Sequence, residues 1–137
     1  MFEFEWKCRW DNVDPAQIAY FPEMVNACHQ AGDAFMEHID WPYWDNPTVH
    51  EISLPIVESG YNFKSPVRVG DVITIAVNPK VGESSVRLEF TATHEDGTPA
   101  FEGFEQHVCV PMHGNEHGES SQPLPDGLRD ALKEYEE

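Results

Sequence analysis

Asp14 stands before Pro15, a few residues ahead of a helix-patterned apolar stretch that begins at Tyr20. Taken alone, an Asp-Pro step reads as a turn residue or a helix cap, because a short acidic side chain bonds to nearby backbone N–H groups. Its place in the chain also has a chemical use. The first N–H groups of a helix lack intrahelical partners and lie at the positive end of the helix dipole. Such a donor polarises a carbonyl as charge builds on its oxygen. A carboxylate beside it can attack the carbonyl carbon or deprotonate a water that does. The sequence leaves nucleophile and general base both open.

Other side chains with chemical potential are few. His29 lies one turn beyond Val25 on the same stretch. It reads first as an ordinary helix histidine, and second as a wall that can hydrogen-bond a polar group. Arg68, Lys80 and Arg87 stand out because 8 basic residues face 25 acidic ones. Each is either a surface ion pair or a phosphate ligand, for which the arginine fork is well shaped. His113 and His117 are spaced i, i+4 in a Gly-containing stretch without a third ligand, so no metal site is expected. Cys8, Cys28 and Cys109 are odd in number and widely spaced, which fits neither a disulfide framework nor a zinc ribbon. They read as buried small apolar residues.

The elements that must position these groups follow from period. Phe2, Phe4, Trp6, Cys8 and Trp10 alternate with charged residues, which predicts a half-buried strand. Phe21, Met24, Val25, Cys28, Phe35, Met36 and Ile39 recur at three- and four-residue steps, which predicts a helix from Tyr20 to between His38 and Asp40. Pro22 suits its first turn. Gly32, in mid-helix, is explained by a close approach of the sheet. Strands are predicted over 49–58, 60–67, 71–81, 84–95 and 99–111, with Asp96-Gly97 as a hairpin turn. Residues 112–123 form a polar linker or loop, and 124–136 a short amphipathic helix bearing Leu128, Leu132 and Tyr135. One strand, one long helix and about five more strands argue for an α+β domain with the helix on one face of an antiparallel sheet.

The chain has 137 residues, 40% hydrophobic, which suits one domain spanning 1–137. The net charge of -17 argues against nucleic acid, whose phosphates need clustered Lys and Arg. Aromatics at 12% argue against disorder. No apolar run approaches the ~20 residues of a membrane span, so no membrane association is expected. The N-terminus lacks a basic region followed by an apolar stretch, so the expected compartment is the cytoplasm. Scarce lysine and dispersed acids resemble proteins of salt-loving organisms, and folding or activity at high salt is the expectation.

The segment Arg9 to Pro22, with Asp14-Pro15-Ala16-Gln17-Ile18-Ala19-Tyr20-Phe21-Pro22, resembles the opening of the 4-hydroxybenzoyl-CoA thioesterase family, where D-P-A-G-I-V and two aromatics precede the helix. Phe63 to Asp71 is similar to the family's F-x-x-P-x-R-x-G-D turn, and Gly82 to Ser85 to its G-x-S-S turn. Asp96-Gly97, Glu102-Gly103 and His107 to Val110 follow in the family's order, and Pro125 opens a similar tail. The resemblance implies a hotdog fold, in which a curved sheet of five to six strands wraps one central helix. It implies an acyl-CoA thioesterase that needs no cofactor, since coenzyme A is part of the substrate. It also implies a homodimer or homotetramer with active sites between subunits.

By the same resemblance Asp14 is the catalytic carboxylate, and the backbone N–H of Phe21, seven positions on, is the carbonyl-polarising donor. Tyr20, Met24, Val25 and His29 fall at acyl-pocket positions, and Ser59 and Tyr61 in a region that faces the partner's site. Arg68 and Arg87 are candidates for the CoA phosphates. Two positions depart from the family. Gln17 replaces a glycine; a positive φ there would strain the loop, and otherwise its amide faces the acyl pocket. Asn12 replaces a position that is often acidic. Two rival functions stay open: a non-hydrolytic acyl-CoA-binding or sensor protein, and a hotdog hydratase or dehydratase.

Overall fold

The computed structural model describes residues 1–112 and 120–137. Strand β1 (Phe2–Lys7) alternates half-buried and exposed as its period requires, but it stops short of the predicted Trp10, which is exposed and opens a short helical turn, Trp10–Asn12. Helix α1 (Phe21–His38) buries Met24, Ala27, Cys28, Ala31, Gly32, Phe35 and Met36 along one stripe. It ends where Asp40 takes a φ of 65° and the Trp41 N–H returns to the Met36 carbonyl. That bond satisfies one of the carbonyls a helix end leaves open.

The stretch after α1 corrects the sequence reading. The strand predicted over 49–58 does not form as one piece. Tyr43–Asp45 and Asn46–His50 are short helical turns, and Glu51 takes a left-handed conformation. Only β2 (Ile52–Ser53) follows, paired with β7 (Val110–Pro111) in a two-stranded sheet. Pro47 and Pro55 lack the N–H groups that a continuous strand would use. Strand β3 (Ile56–Phe63) then runs unbroken across Ser59, where the sequence reading left a gap between two strands, and it ends at Phe63, short of the predicted 67. A Cβ at Gly60 would lie 2.8 Å from the Phe104 ring, so the glycine admits a cross-strand aromatic and does not mark a turn.

Strands β4 (Val72–Val81), β5 (Ser85–His94) and β6 (Pro99–Val108) match their predicted places, except that the last breaks at Cys109 before β7. The large sheet is antiparallel, with order β1-β4-β5-β6-β3, so β1 and β3 are its edges. Ile73, Ile75, Val77, Leu88, Phe90 and Phe101 face α1 and form the core with it. Gly32 is the predicted close approach: its Cβ would sit 3.2 Å from Leu88 Cδ1. Cys8, Cys28 and Cys109 are buried and free, as expected.

Helix α2 (Asp126–Lys133) is shorter than the predicted 124–136, because Pro125 is extended and Leu124 instead donates to the Glu83 carbonyl. Its Leu128 and Leu132 are buried. Tyr135, just beyond, packs edge-on against Phe35 at 5.4 Å. His113 and His117 lie outside the described residues. Among the described residues, no helix is long and apolar enough to cross a membrane.

Candidate active site

Asp14 lies in a tight loop between β1 and α1. Its backbone N–H donates to Ile18 O at 3.0 Å, and its carbonyl accepts from Gln17 N at 2.8 Å. Its side chain caps the loop from within, for Oδ1 accepts the Ala16 N–H at 2.9 Å and the Ile18 N–H at 3.3 Å. Oδ2 has no partner among the described residues. The turn role expected of an Asp-Pro step therefore engages one carboxylate oxygen and leaves the other.

Two neighbouring segments clamp the loop. Val69 N donates to Gln17 O, Ile18 bridges Arg68, and Ala19 N donates to Val67 O at 2.7 Å. On the other side Tyr20 N donates to Asn12 O at 2.8 Å. Asn12 ties the assembly to the helix, because its Nδ2 donates to Glu23 Oε2 at 3.4 Å. Gln17 has a φ of 63°, the left-handed region that glycine enters freely and other residues enter at a cost. The positive φ weighed for this position is therefore present.

Phe21 opens α1, and its N–H has no partner among the described residues. Tyr20 O already accepts from Glu23 and Met24, so the first turn is closed around that donor. The Phe21 ring is 54% exposed and stands edge-on to Tyr61 at 6.3 Å and to Phe63 at 5.6 Å. Ile18, Met24, Phe63, Lys64, Ser65, Pro66 and Val67 line a cleft of about 270 Å³ beside the loop. Tyr20 is exposed at the helix cap.

From this point α1 and β3 run side by side, and the strip between them, termed the groove, joins this cleft to a second one. Phe21, Val25 and His29 follow at i, i+4 and i+8, one ridge of the helix. Opposite them run Phe63, Tyr61 and Ser59, alternate residues of β3 and so on one face of the sheet. At the far end the His29 Nδ1–H donates to Glu105 Oε2 at 3.0 Å. Glu105 Oε1 lies 3.1 Å from His107 Nε2, and His107 Nδ1–H donates to Leu54 O at 2.8 Å. Tyr43 stacks on both rings, at 6.2 Å from His29 and 6.0 Å from His107. His29, Tyr43, Asn46, Ile56, His107 and Met112 are among the residues lining a cleft of about 410 Å³ there.

The charges in this corner shift one another. Burial would push Glu105 up, but hydrogen bonds from His107 and His29 outweigh it and hold the carboxyl at about 2. The bond to Glu105 lifts His29 above its ordinary value of 6.5, against the opposing effect of burial. Burial, with Cys28 and Glu105 nearby, pushes Tyr61 up.

The structure thus brings Asp14, Gln17, Phe21, Met24 and Arg68 together around the loop, and Val25, His29, Ser59 and Tyr61 along the groove. Arg68 is exposed and makes no ion pair among the described residues. Arg87 is elsewhere. It points from the sheet face opposite α1, 3.4 Å from Glu89 and 3.6 Å above the centre of the Phe104 ring. Sequence reasoning missed Tyr43, Glu105 and His107. The available signal was phase, since Glu105 and His107 fall on the same side of β6 as buried Phe101. Among the described residues, no group of three or more His, Cys, Asp or Glu is placed to hold a metal.

A long helix lying on one face of an antiparallel sheet, with a carboxylate loop at its N-terminus, defines a hotdog-fold protein. The solved structure of a 1,4-dihydroxy-2-naphthoyl-CoA thioesterase from Synechocystis superposes with a TM-score of 0.87 at 19% identity, covering 96% of this chain and 95% of that one. A Staphylococcus aureus protein solved in complex with CoA superposes with a TM-score of 0.86 at 16% identity, over 98% of this chain and 82% of that one. The 1,4-dihydroxy-2-naphthoyl-CoA hydrolase of Nostoc punctiforme is 27% identical over 128 residues, 93% of this chain and 83% of that one. Residues 8–132 match the thioesterase-like superfamily, and the chain belongs to it.

Proposed function

We propose that the protein hydrolyses the thioester of an acyl-CoA whose acyl group is a hydroxylated aromatic ring system. The observation that carries this is the pairing at the start of α1: a Phe21 N–H and, in the loop just before it, one oxygen of the Asp14 carboxylate, neither with a partner among the described residues. The thioester carbonyl oxygen accepts from Phe21 N–H, which stabilises the charge that forms there. Asp14 either attacks the carbon or takes the proton of the attacking water. If water attacks, the C–S bond breaks directly to the free acid. If Asp14 attacks, it breaks to leave an acyl–Asp14 anhydride that a water then hydrolyses. On either route one water is consumed: its oxygen ends in the free acid and its proton goes to the CoA thiolate, which leaves as the thiol.

The aromatic assignment draws on the rings of Phe21, Tyr61 and Phe63 at the groove mouth and on the substrates named for relatives in the same superfamily. Arg68 stands beside the loop as a ligand for the CoA phosphates; Arg87, on the other face, serves only if CoA reaches around the sheet. No cofactor is needed beyond the CoA of the substrate. The open edge of β3, with Ile56 and Val57 exposed, favours a homo-oligomer that completes the groove.

The test is release of free thiol, read with a thiol reagent, across benzoyl, hydroxybenzoyl, dihydroxynaphthoyl, phenylacetyl, short-chain and long-chain CoA thioesters at low and high salt. Binding without release would identify a sensor instead. Gain of enoyl absorbance from a hydroxyacyl-CoA would identify a hydratase. Single turnover in labelled water separates the two roles of Asp14, because label entering Asp14 before product marks an acyl-enzyme anhydride.

A further inference from the structure

Glu105 occupies a position that its strand phase reserves for an apolar side chain. It is 2% exposed, as is His107 two residues on. The hydrogen-bond inventory fixes where protons must lie. Leu54 O can only accept, so His107 Nδ1 carries a proton. The contact of His107 Nε2 with Glu105 Oε1 requires a second proton, and that of His29 Nδ1 with Glu105 Oε2 a third. With Glu105 held as a carboxylate, the His29 proton sits on Nδ1. Nε2 of the same ring has no partner among the described residues and belongs to a side chain that is 48% exposed. A neutral imidazole protonated at Nδ1 offers Nε2 as an acceptor.

The distances match a substrate bound as proposed above. Tyr61 meets Phe21, and Ser59, which pairs with Glu105 across the sheet, is two residues further along β3, about 7 Å. Along α1, Phe21 and His29 are about 12 Å apart. Helix side chains lean toward the N-terminus, which shortens that span. An acyl group of one or two fused rings, its carbonyl at the Phe21 N–H, ends in front of His29. The groups that bear on His29 are Glu105 and His107 from β6, Asp33 from its own helix, and Tyr43 stacked parallel to it at 3°. Tyr43 therefore walls the same corner with a flat face.

We infer that Glu105, braced by His107, is a specificity-determining positioning residue: it orients His29 so that Nε2 accepts a hydrogen bond from a ring hydroxyl of the acyl group. This rests on the thioesterase reading and extends it to the far end of the groove. His29 touches substrate; Glu105 and His107 act through it.

The experiment compares kcat/KM, by thiol release, for 4-hydroxybenzoyl-CoA against benzoyl-CoA and for 1,4-dihydroxy-2-naphthoyl-CoA against 2-naphthoyl-CoA. The unmodified protein should favour the hydroxylated member of at least one pair about tenfold more than Glu105→Gln does, the scale of one hydrogen bond. That advantage should shrink on acidification, as Nε2 gains a proton and ceases to accept. His29→Ala should show the same loss of preference as Glu105→Gln. Nitrogen-15 NMR of the unmodified protein, which needs no variant to fold, should show His29 protonated at Nδ1 and bare at Nε2 above its raised pKa. Equal preference in Glu105→Gln and unmodified protein, or an Nε2–H tautomer of His29, overturns the inference while leaving the thioesterase intact. Hydrolysis of no member of either pair by the unmodified protein overturns the proposed function itself.

Discussion

Replacing Asp14 by asparagine and by alanine separates its two roles. Both changes remove the carboxylate, so both should reduce thiol release by about 10²–10⁴-fold, the range for a missing acid–base group. Their effects on the fold should differ. Asp14 Oδ1 accepts two backbone N–H groups, from Ala16 and Ile18, and an asparagine Oδ1 can accept the same two. Alanine can accept neither. Each bond contributes about 0.5–1.5 kcal/mol net, and both lie near the surface where water replaces a lost partner. Alanine should therefore destabilise by about 1–2 kcal/mol and asparagine by much less. In a domain of this size that is a melting-temperature drop of roughly 3–8 °C for alanine. Thermal unfolding and thiol release on the same preparations give the answer. Near-normal hydrolysis by Asp14→Asn would refute the chemical role. Equal melting temperatures for the two variants would refute the loop argument.

Further expectations follow from other parts of the molecule. Gln17→Val forces a β-branched side chain into a φ of 63° at an exposed site, and thermal unfolding should register a loss of about 1–2 kcal/mol; no loss would mean that the loop relaxes freely. Gly32→Val places methyls against Leu88 and Phe90, and chemical denaturation should show a cost of about 1–3 kcal/mol. Stability should also fall on both sides of a pH window. Glu105 drops from 4.5 to about 2 on folding, so its contribution of roughly 3 kcal/mol is present above 4.5 and lost as pH falls toward 2. His29 is raised above 6.5, so its contribution is full below 6.5 and lost as pH rises through the folded value. A denaturation midpoint that stays level from about pH 5 down to about pH 2 would contradict the Glu105 assignment. Finally, a net charge of -17 should make the melting temperature climb as salt shortens the screening length from about 10 Å at 0.1 M to about 3 Å at 1 M, and a flat response would remove the expectation of salt dependence.

The parts of the fold legible in the sequence were those with a clean period. Phe2, Phe4 and Trp6 announced a strand, and Met24, Cys28, Phe35 and Met36 a helix, because one face of each had to be buried. The segment from Asn46 to Pro55 was not legible, since its mixture of Ile, Val and Leu fits a strand while two prolines and a left-handed Glu51 prevent one. The split at Ser59 misled for a related reason: nothing in the sequence around Gly60 shows that its missing Cβ makes room for the Phe104 ring of the neighbouring strand, which lets β3 run on. At the site, Asp14 and Phe21 were readable because they are near in sequence. Glu105 and His107 were not, since their meaning comes from His29, 76 residues before Glu105, and from Leu54, 53 residues before His107.

The free edge of β3 has a practical consequence. Proteins that must stay single usually guard such an edge with lysine or proline, and β3, reading Ile-Val-Glu-Ser-Gly-Tyr-Asn-Phe, has neither. If two copies meet there in antiparallel fashion, the Ile56 end of one lies beside the Phe63 end of the other, so each groove is walled by both. Specific activity would then not be a constant of the preparation. It would decline on dilution and recover on concentration, with a midpoint that reports the dissociation constant of the pair.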